Sequence, residues 1–135
     1  VPGTTREPAR ERGWQLVWSD EFEGTSIDPA KWDFDRDCWG GGNNERQCYT
    51  DRPANAAVGG GILTITARKE RFTGPALPAH MRPASIPVAE ATKDYTSARL
   101  VTRGKAAWRY GRIEVRAKLP AGQGTWPAIW MLPEE

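Results

Sequence analysis

Apolar and polar positions alternate most cleanly from Arg112 to Leu119 (RIEVRAKL). There Ile113, Val115, Ala117 and Leu119 interleave with Arg112, Glu114, Arg116 and Lys118. That period of two predicts a half-buried antiparallel strand with one wet face. Other segments predict strands less strictly: Trp14 to Phe22, Gln47 to Thr50, Ile62 to Arg68, Ser97 to Thr102 and Thr125 to Leu132. Ile62 to Arg68 (ILTITAR) is partly apolar on both faces, which predicts a sandwiched strand. Between these runs lie turn signals. Gly24 to Trp32 reads as a loop with one helical turn after Asp28-Pro29, since Pro suits the first helical position. Val58 to Gly61 (VGGG) and Pro120 to Gly124 (PAGQG) read as turns. Phe72 to Asp94 holds four prolines and no periodicity, so it reads as one long loop. Short strands at this spacing, in a chain with 14 Gly and 11 Pro, predict an all-β antiparallel β-sandwich.

Composition narrows what such a fold does. With 19 basic and 17 acidic side chains, scattered rather than clustered, the chain offers no electrostatic case for nucleic acid or an anionic membrane. No run reaches the length of a membrane span. Residues 1–13 are polar and Pro-containing and read as a disordered N-terminal segment ahead of a single domain over residues 14–135. Cys38 and Cys48 are the only cysteines and His80 the only histidine, too few for a zinc site. A disulfide is the better reading. It would stabilise the fold by roughly 3 kcal/mol and place the protein in an oxidising compartment, extracellular or periplasmic.

Seven tryptophans are the compositional outlier. Indole either fills a core or stacks on a flat apolar ligand face. Trp126 and Trp130 are four apart, so in a strand they share a face and stand roughly 13 Å apart. That spacing suits sugar rings in an extended chain, although core packing is the commoner fate of such a pair. Pro127 between them removes a ladder donor and points to a bulge or edge. Asn43 to Gln47 crowd donors and acceptors into the loop that the disulfide would pin, and an ordinary polar turn is the plainer reading. Arg99 interrupts an apolar run and needs a partner: Glu45, a ligand groove, or solvent on a wet strand face. Asp20, Glu21 and Glu23 could offer oxygens to calcium, but lack a DxDxDG pattern, and a solvated turn is the plainer reading. No E-x-D-x-E signature for paired glycosidase carboxylates is present. Glu134 and Glu135 are adjacent, so in a strand they would point to opposite faces.

Taken together, LVWSDEFEG…IDPAKW, CWGGGNNERQCYTD, GGGILTITARKE and YTSARLVTRGKAAWRYGRIEVRAKLPAGQGTWPAIWMLP resemble glycoside hydrolase family 16, within it the laminarinase-like endo-β-1,3-glucanases. The resemblance runs from Trp14 to Pro133. It implies a concave jelly roll that cleaves β-1,3-glucan, or mixed β-1,3/1,4-glucan, with retention. It implies that Asn44, Glu45, Arg99, Trp126 and Trp130 line the glycone side of the cleft, with the Pro-rich loop as one lip. It also implies a structural calcium near Glu21, Glu23 and the carbonyl of Gly59. The departure is that the family's GEIDIME-like motif, bearing nucleophile and acid/base, is absent. Its carboxylates are expected just C-terminal of Glu135, and no catalytic residue is expected within the chain. The chain is thus expected to be the N-terminal part of one jelly-roll domain, inactive and unstable without a complementing C-terminal half. The rival expectation is a non-catalytic glucan-recognition domain of the same fold.

Overall fold

The computed structural model describes residues 13–134. The disordered segment expected over residues 1–13 lies outside the described residues except for Gly13, which sits in a turn. Glu135, beyond which the catalytic carboxylates are expected, also lies outside the described residues, so the expected opposite-facing pair Glu134 and Glu135 has no structural counterpart among them. Among the described residues the chain is nearly all β, with strands β1 (Asp33–Phe34), β2 (Gln47–Tyr49), β3 (Ala56–Gly59), β4 (Ile62–Ile65), β5 (Arg68–Pro75), β6 (Glu90–Ser97) and β7 (Leu100–Val101). Short 3-10 turns cover Gly40–Gly42 and Ala79–Met81.

The central sheet has the order β2-β6-β5. Strands β5 and β6 pair antiparallel from Arg68↔Thr96 to Pro75↔Glu90, with a register shift between Lys69 and Phe72. Strand β2 lies parallel to β6, the one departure from an antiparallel plan among the described residues. Strands β3 and β4 form a hairpin around Gly60 and Gly61, at φ 60° and 76°. Two successive positive φ values are what a two-residue hairpin turn of matching twist demands, and glycine adopts them without strain. Strands β1 and β7 pair at Asp33↔Val101 and Phe34↔Leu100, and the ladder extends one step where the Asp35 amide donates to the Arg99 carbonyl (3.0 Å).

Polar groups hold the middle together. Buried apolar residues are few and mostly small: Cys38, Cys48, Ala56, Val58 and Ala98. Beside them Asn55 and Thr96 are fully buried. The Asn55 amide donates to the Thr96 hydroxyl (2.9 Å) and the Thr66 carbonyl (3.0 Å), and its oxygen accepts from Thr50 (2.5 Å) and Arg52 (3.0 Å). Thr96 donates in turn to Glu70 (2.5 Å), which also pairs with Arg52. With every member partnered, the network ties the hairpin to the central sheet without burying an orphan polar group. The Cys38–Cys48 disulfide forms as expected, and Gly74 lets it lie close on β5: a Cβ there would meet the Cys38 sulfur at 3.3 Å.

Several expectations are corrected. Phe72 to Asp94 is not one loop, since β5 reaches Pro75 and β6 starts at Glu90. These strands carry Lys, Arg, Thr and Glu on both faces, so no apolar alternation announces them. Ile62 to Arg68 breaks at residues 66–67, and Ile62 and Ile65 are exposed rather than sandwiched. Val58 and Gly59 belong to β3, which leaves only Gly60 and Gly61 as the turn. The run Ser97 to Thr102 is split at Ala98 and Arg99. Trp14 to Phe22 is not a strand. It docks through an aromatic cluster, with Trp18 edge-on to Trp32 (5.5 Å) and Trp108 (5.1 Å) and Phe22 stacked on Trp32 (6.2 Å). Arg112 to Leu119 and Thr125 to Leu132 also carry no strand, and Ile113, Val115, Leu119, Ile129 and Leu132 are exposed. Alternation specifies a face to be covered; among the described residues no strand pairs with these segments.

Candidate functional site

Strand β2 builds the site from its own alternation. Cys48 turns inward and is fully buried, so Gln47 and Tyr49 share the opposite face, and Glu45 continues that row just ahead of the strand. The row is joined side chain to side chain. The Gln47 amide donates to Glu45 (2.6 Å) and to the Tyr49 hydroxyl (3.1 Å), and Asn43 donates to Glu45 (3.3 Å).

The loop before β2 is set by close approach. Gly40 has φ 72°, and a Cβ there would fall 2.7 Å from the Glu45 carbonyl oxygen. Only glycine permits that contact, through which the Gly40 carbonyl accepts from the amides of Asn43 (2.9 Å) and Glu45 (3.3 Å). Asn44 adopts φ 58°, a region Asn tolerates better than most residues. Lys93 on β6 donates to the Glu45 carbonyl (2.5 Å) and anchors the loop to the sheet.

Arg99 sits at the far end of the row. Of the alternatives left open by the sequence, pairing with Glu45 is not the one seen: the guanidinium Nε donates to Asp35 at 2.5 Å. Its Cζ lies over two rings, 4.8 Å from the Tyr49 centre and 5.9 Å from that of Trp130, a cationic group against two aromatic faces. Burial works against the charged Arg99, but the Asp35 hydrogen bond and the nearby Asp35, Tyr49 and Asp37 charges outweigh it, and its pKa is raised. Burial likewise pushes the Tyr49 phenol up, against the opposing pull of Arg99 and Gln47. Asp37, 2% exposed, accepts from the Trp39 amide through one oxygen (3.0 Å), while its other oxygen has no partner among the described residues.

The two outer tryptophans behave differently. Trp130 is 58% exposed yet touches Arg99, whereas Trp126 is 79% exposed. Both are exposed among the described residues, as are Ile129, Met131 and Leu132 beside them. Of the residues read from sequence, Arg99 and Trp130 meet, Asn44 and Glu45 lie in the loop at the other end of the β2 row, and Trp126 stands apart. Gln47, Tyr49 and Asp35 are the additions. The signal for the first two was present in the alternation Glu45, Gln47, Tyr49 around an inward Cys48; Asp35, in a stretch without pattern, left none.

The acidic stretch after Trp18 has a structural use. Asp20 accepts from the Phe22 amide (2.8 Å) and the Trp32 indole (2.8 Å). Among the described residues no three Asp, Glu, His or Cys side chains gather to hold a metal. A calcium at Glu21, Glu23 and Gly59 would therefore draw largely on main-chain carbonyls.

No protein-family model matches the chain. Curated relatives do. A beta-glucanase of Rhodothermus marinus is 54% identical over 123 residues, 90% of this chain and 37% of that protein. A glucan endo-1,3-beta-glucosidase A1 of Niallia circulans is 38% identical over 98% of this chain and 19% of its own length. A beta-1,3-glucan-binding protein of Penaeus monodon is 68% identical over 38 residues, 28% of this chain and 10% of that protein. Among solved structures, the laminarinase from Rhodothermus marinus superposes with a TM-score of 0.55 at 49% identity, over 73% of this chain and 33% of that one. The chain thus spans less than two fifths of the length of these relatives. Over the segment it spans, in sequence and in fold, the chain is a homologue of beta-glucanases and of laminarinases of glycoside hydrolase family 16.

Proposed function

We propose that the complete protein hydrolyses β-1,3-glucan internally, with mixed β-1,3/1,4-glucan as a second substrate, and that this chain supplies one side of the sugar cleft. The observation that carries this is the Arg99 guanidinium gathered with the Tyr49 and Trp130 rings, on a chain 54% identical to a beta-glucanase. Aromatic faces take the C–H surface of a glucose ring while a planar donor fork takes its hydroxyls. Asn44, Glu45 and Gln47 extend the polar edge of the same row.

Chemistry of this kind uses two carboxylates. One attacks the anomeric carbon, the other protonates the leaving oxygen, and water then releases the glycosyl-enzyme with retention. We assign both carboxylates to a segment C-terminal of Glu135, so that residues 1–135 alone are inactive. The same segment, in this reading, completes the sandwich over the exposed alternating residues of Arg112 to Leu119. The disulfide supports a secreted protein. A calcium held by Glu21, Glu23 and the Gly59 carbonyl belongs to the same proposal, and a chelator that leaves the melting temperature unchanged removes it.

The test is laminarin digestion by the complete protein. Endo-cleavage predicts that viscosity falls well before reducing ends accumulate, and retention predicts that the first product carries the β anomer. A second reading, a non-catalytic glucan-binding domain, draws on the match to the glucan-binding protein. Laminarin bound without any new reducing ends would establish it and overturn the first.

A further inference from the structure

Asp35 has no place in the reading above, yet it makes the closest polar contact that Arg99 has. The two residues are joined twice. The Asp35 amide donates to the Arg99 carbonyl (3.0 Å), and the Arg99 Nε donates to the Asp35 carboxylate (2.5 Å). The carboxylate is almost enclosed, with its side chain 9% exposed against 24% for Arg99. Its second oxygen faces Arg103 at 3.8 Å. The guanidinium Cζ lies over both the Tyr49 and the Trp130 ring, and the Nε bond to Asp35 restricts its swing. Nε uses one of the five donors of the fork. Among the described residues the two terminal Nη nitrogens make no hydrogen bond, and neither is a buried orphan. They are donors held in place and left open.

The partners also settle the charge. A bare guanidinium beside two aromatic faces would favour an anionic ligand. With Asp35 in contact and Asp37 close by, the site has little net positive charge to offer one.

We propose that Asp35 is a positioning and specificity residue: it fixes the Arg99 fork and cancels its charge, so that the open Nη donors serve the hydroxyls of a neutral glucan rather than an acidic one. This rests on the glucan reading of the site.

The complete protein is tested as Asp35→Asn, Asp35→Ala and Arg99→Ala, on neutral laminarin and on carboxymethylated β-1,3-glucan. Asp35→Ala is expected to raise KM on laminarin roughly fivefold, the size of one net hydrogen bond, with kcat little changed. Asp35→Asn keeps an acceptor for Nε and is expected to recover most of that loss. It is also expected to gain affinity for the carboxymethylated glucan, in a manner that added salt removes. If Asp35→Ala does not fold, the near-isosteric Asp35→Asn carries the test alone through its shift toward the anionic glucan. Raised KM in Arg99→Ala with unchanged behaviour in both Asp35 variants overturns the role of Asp35 and leaves the glucan site standing. Unchanged KM in Arg99→Ala overturns both.

Discussion

Asn55 shows how much of this fold rests on one side chain that carries no catalytic promise. It occupies a turn in the stretch Asp51 to Val58 and is fully enclosed, bonded to Thr50, Thr66 and Thr96. Asn55→Ala leaves the buried Thr50 hydroxyl without its acceptor and takes one partner each from Thr96, Thr66 and Arg52. Each buried group left unsatisfied costs about 1–3 kcal/mol. The complete protein carrying Asn55→Ala is therefore expected to unfold at distinctly lower urea concentration than the parent, with an unchanged slope. Nothing in the local sequence betrays this role, because an Asn among Pro and Ala reads as a turn. Arg99 was legible as a charge needing a partner, but its partner was not. Asp35 lies 64 positions away, and only the pairing of β1 with β7 brings the two together. The proposal of Trp130 as a sugar platform comes from family resemblance and not from its spacing from Trp126.

At the scale of elements, the disulfide, the Gly60–Gly61 hairpin turn and the helical turn in which the Trp32 amide donates to the Asp28 carbonyl (3.0 Å) could be read in advance, since each depends on residues close in sequence; strand β2 was also read, although its partner β6 lies far along the chain. The β5–β6 ladder could not. Its cross-strand contacts are polar, as where the hydroxyls of Thr73 and Thr92 meet at 2.6 Å, so the apolar signal that marks strands is missing. Polar ladders bring pH dependence. The Glu70 carboxyl is held below its usual 4.5 by the Thr96 hydroxyl first and then by Arg52. A carboxylate depressed in the folded state contributes stability above its unfolded pKa and loses it as pH falls through the folded value. The complete protein is thus expected to lose stability as pH drops below 4.5, and Glu70→Gln to flatten that part of the profile. Urea midpoints on either side of this pH check it; a Glu70→Gln protein with the parent's full acid sensitivity would remove Glu70 as a source.

The whole molecule explains why the clearest strand signal in the sequence corresponds to no strand. Ile113, Val115 and Leu119 alternate as a half-buried strand should, and all three are exposed among the described residues, as are Ile129, Met131 and Leu132. Such a pattern calls for a neighbouring strand, and none among the described residues pairs with it. In the proposed complete sandwich these residues are covered, and the amides of Arg112 to Leu119 are expected to exchange with deuterium slowly. Fast exchange throughout that segment in the complete protein would mean that no strand forms there. The same completion would set Trp126 and Trp130 on one face of a groove.

That groove is the centre of the account. Titration of laminarihexaose into the complete protein, beside its Trp130→Ala variant, tests it most directly. Loss of an aromatic face from a sugar subsite predicts binding weakened roughly tenfold, with the melting temperature held, because the proposed groove keeps Trp130 at its open surface. Equal affinity in the two proteins would contradict it and would leave Trp130, Tyr49 and Arg99 as a structural stack with no part in glucan recognition.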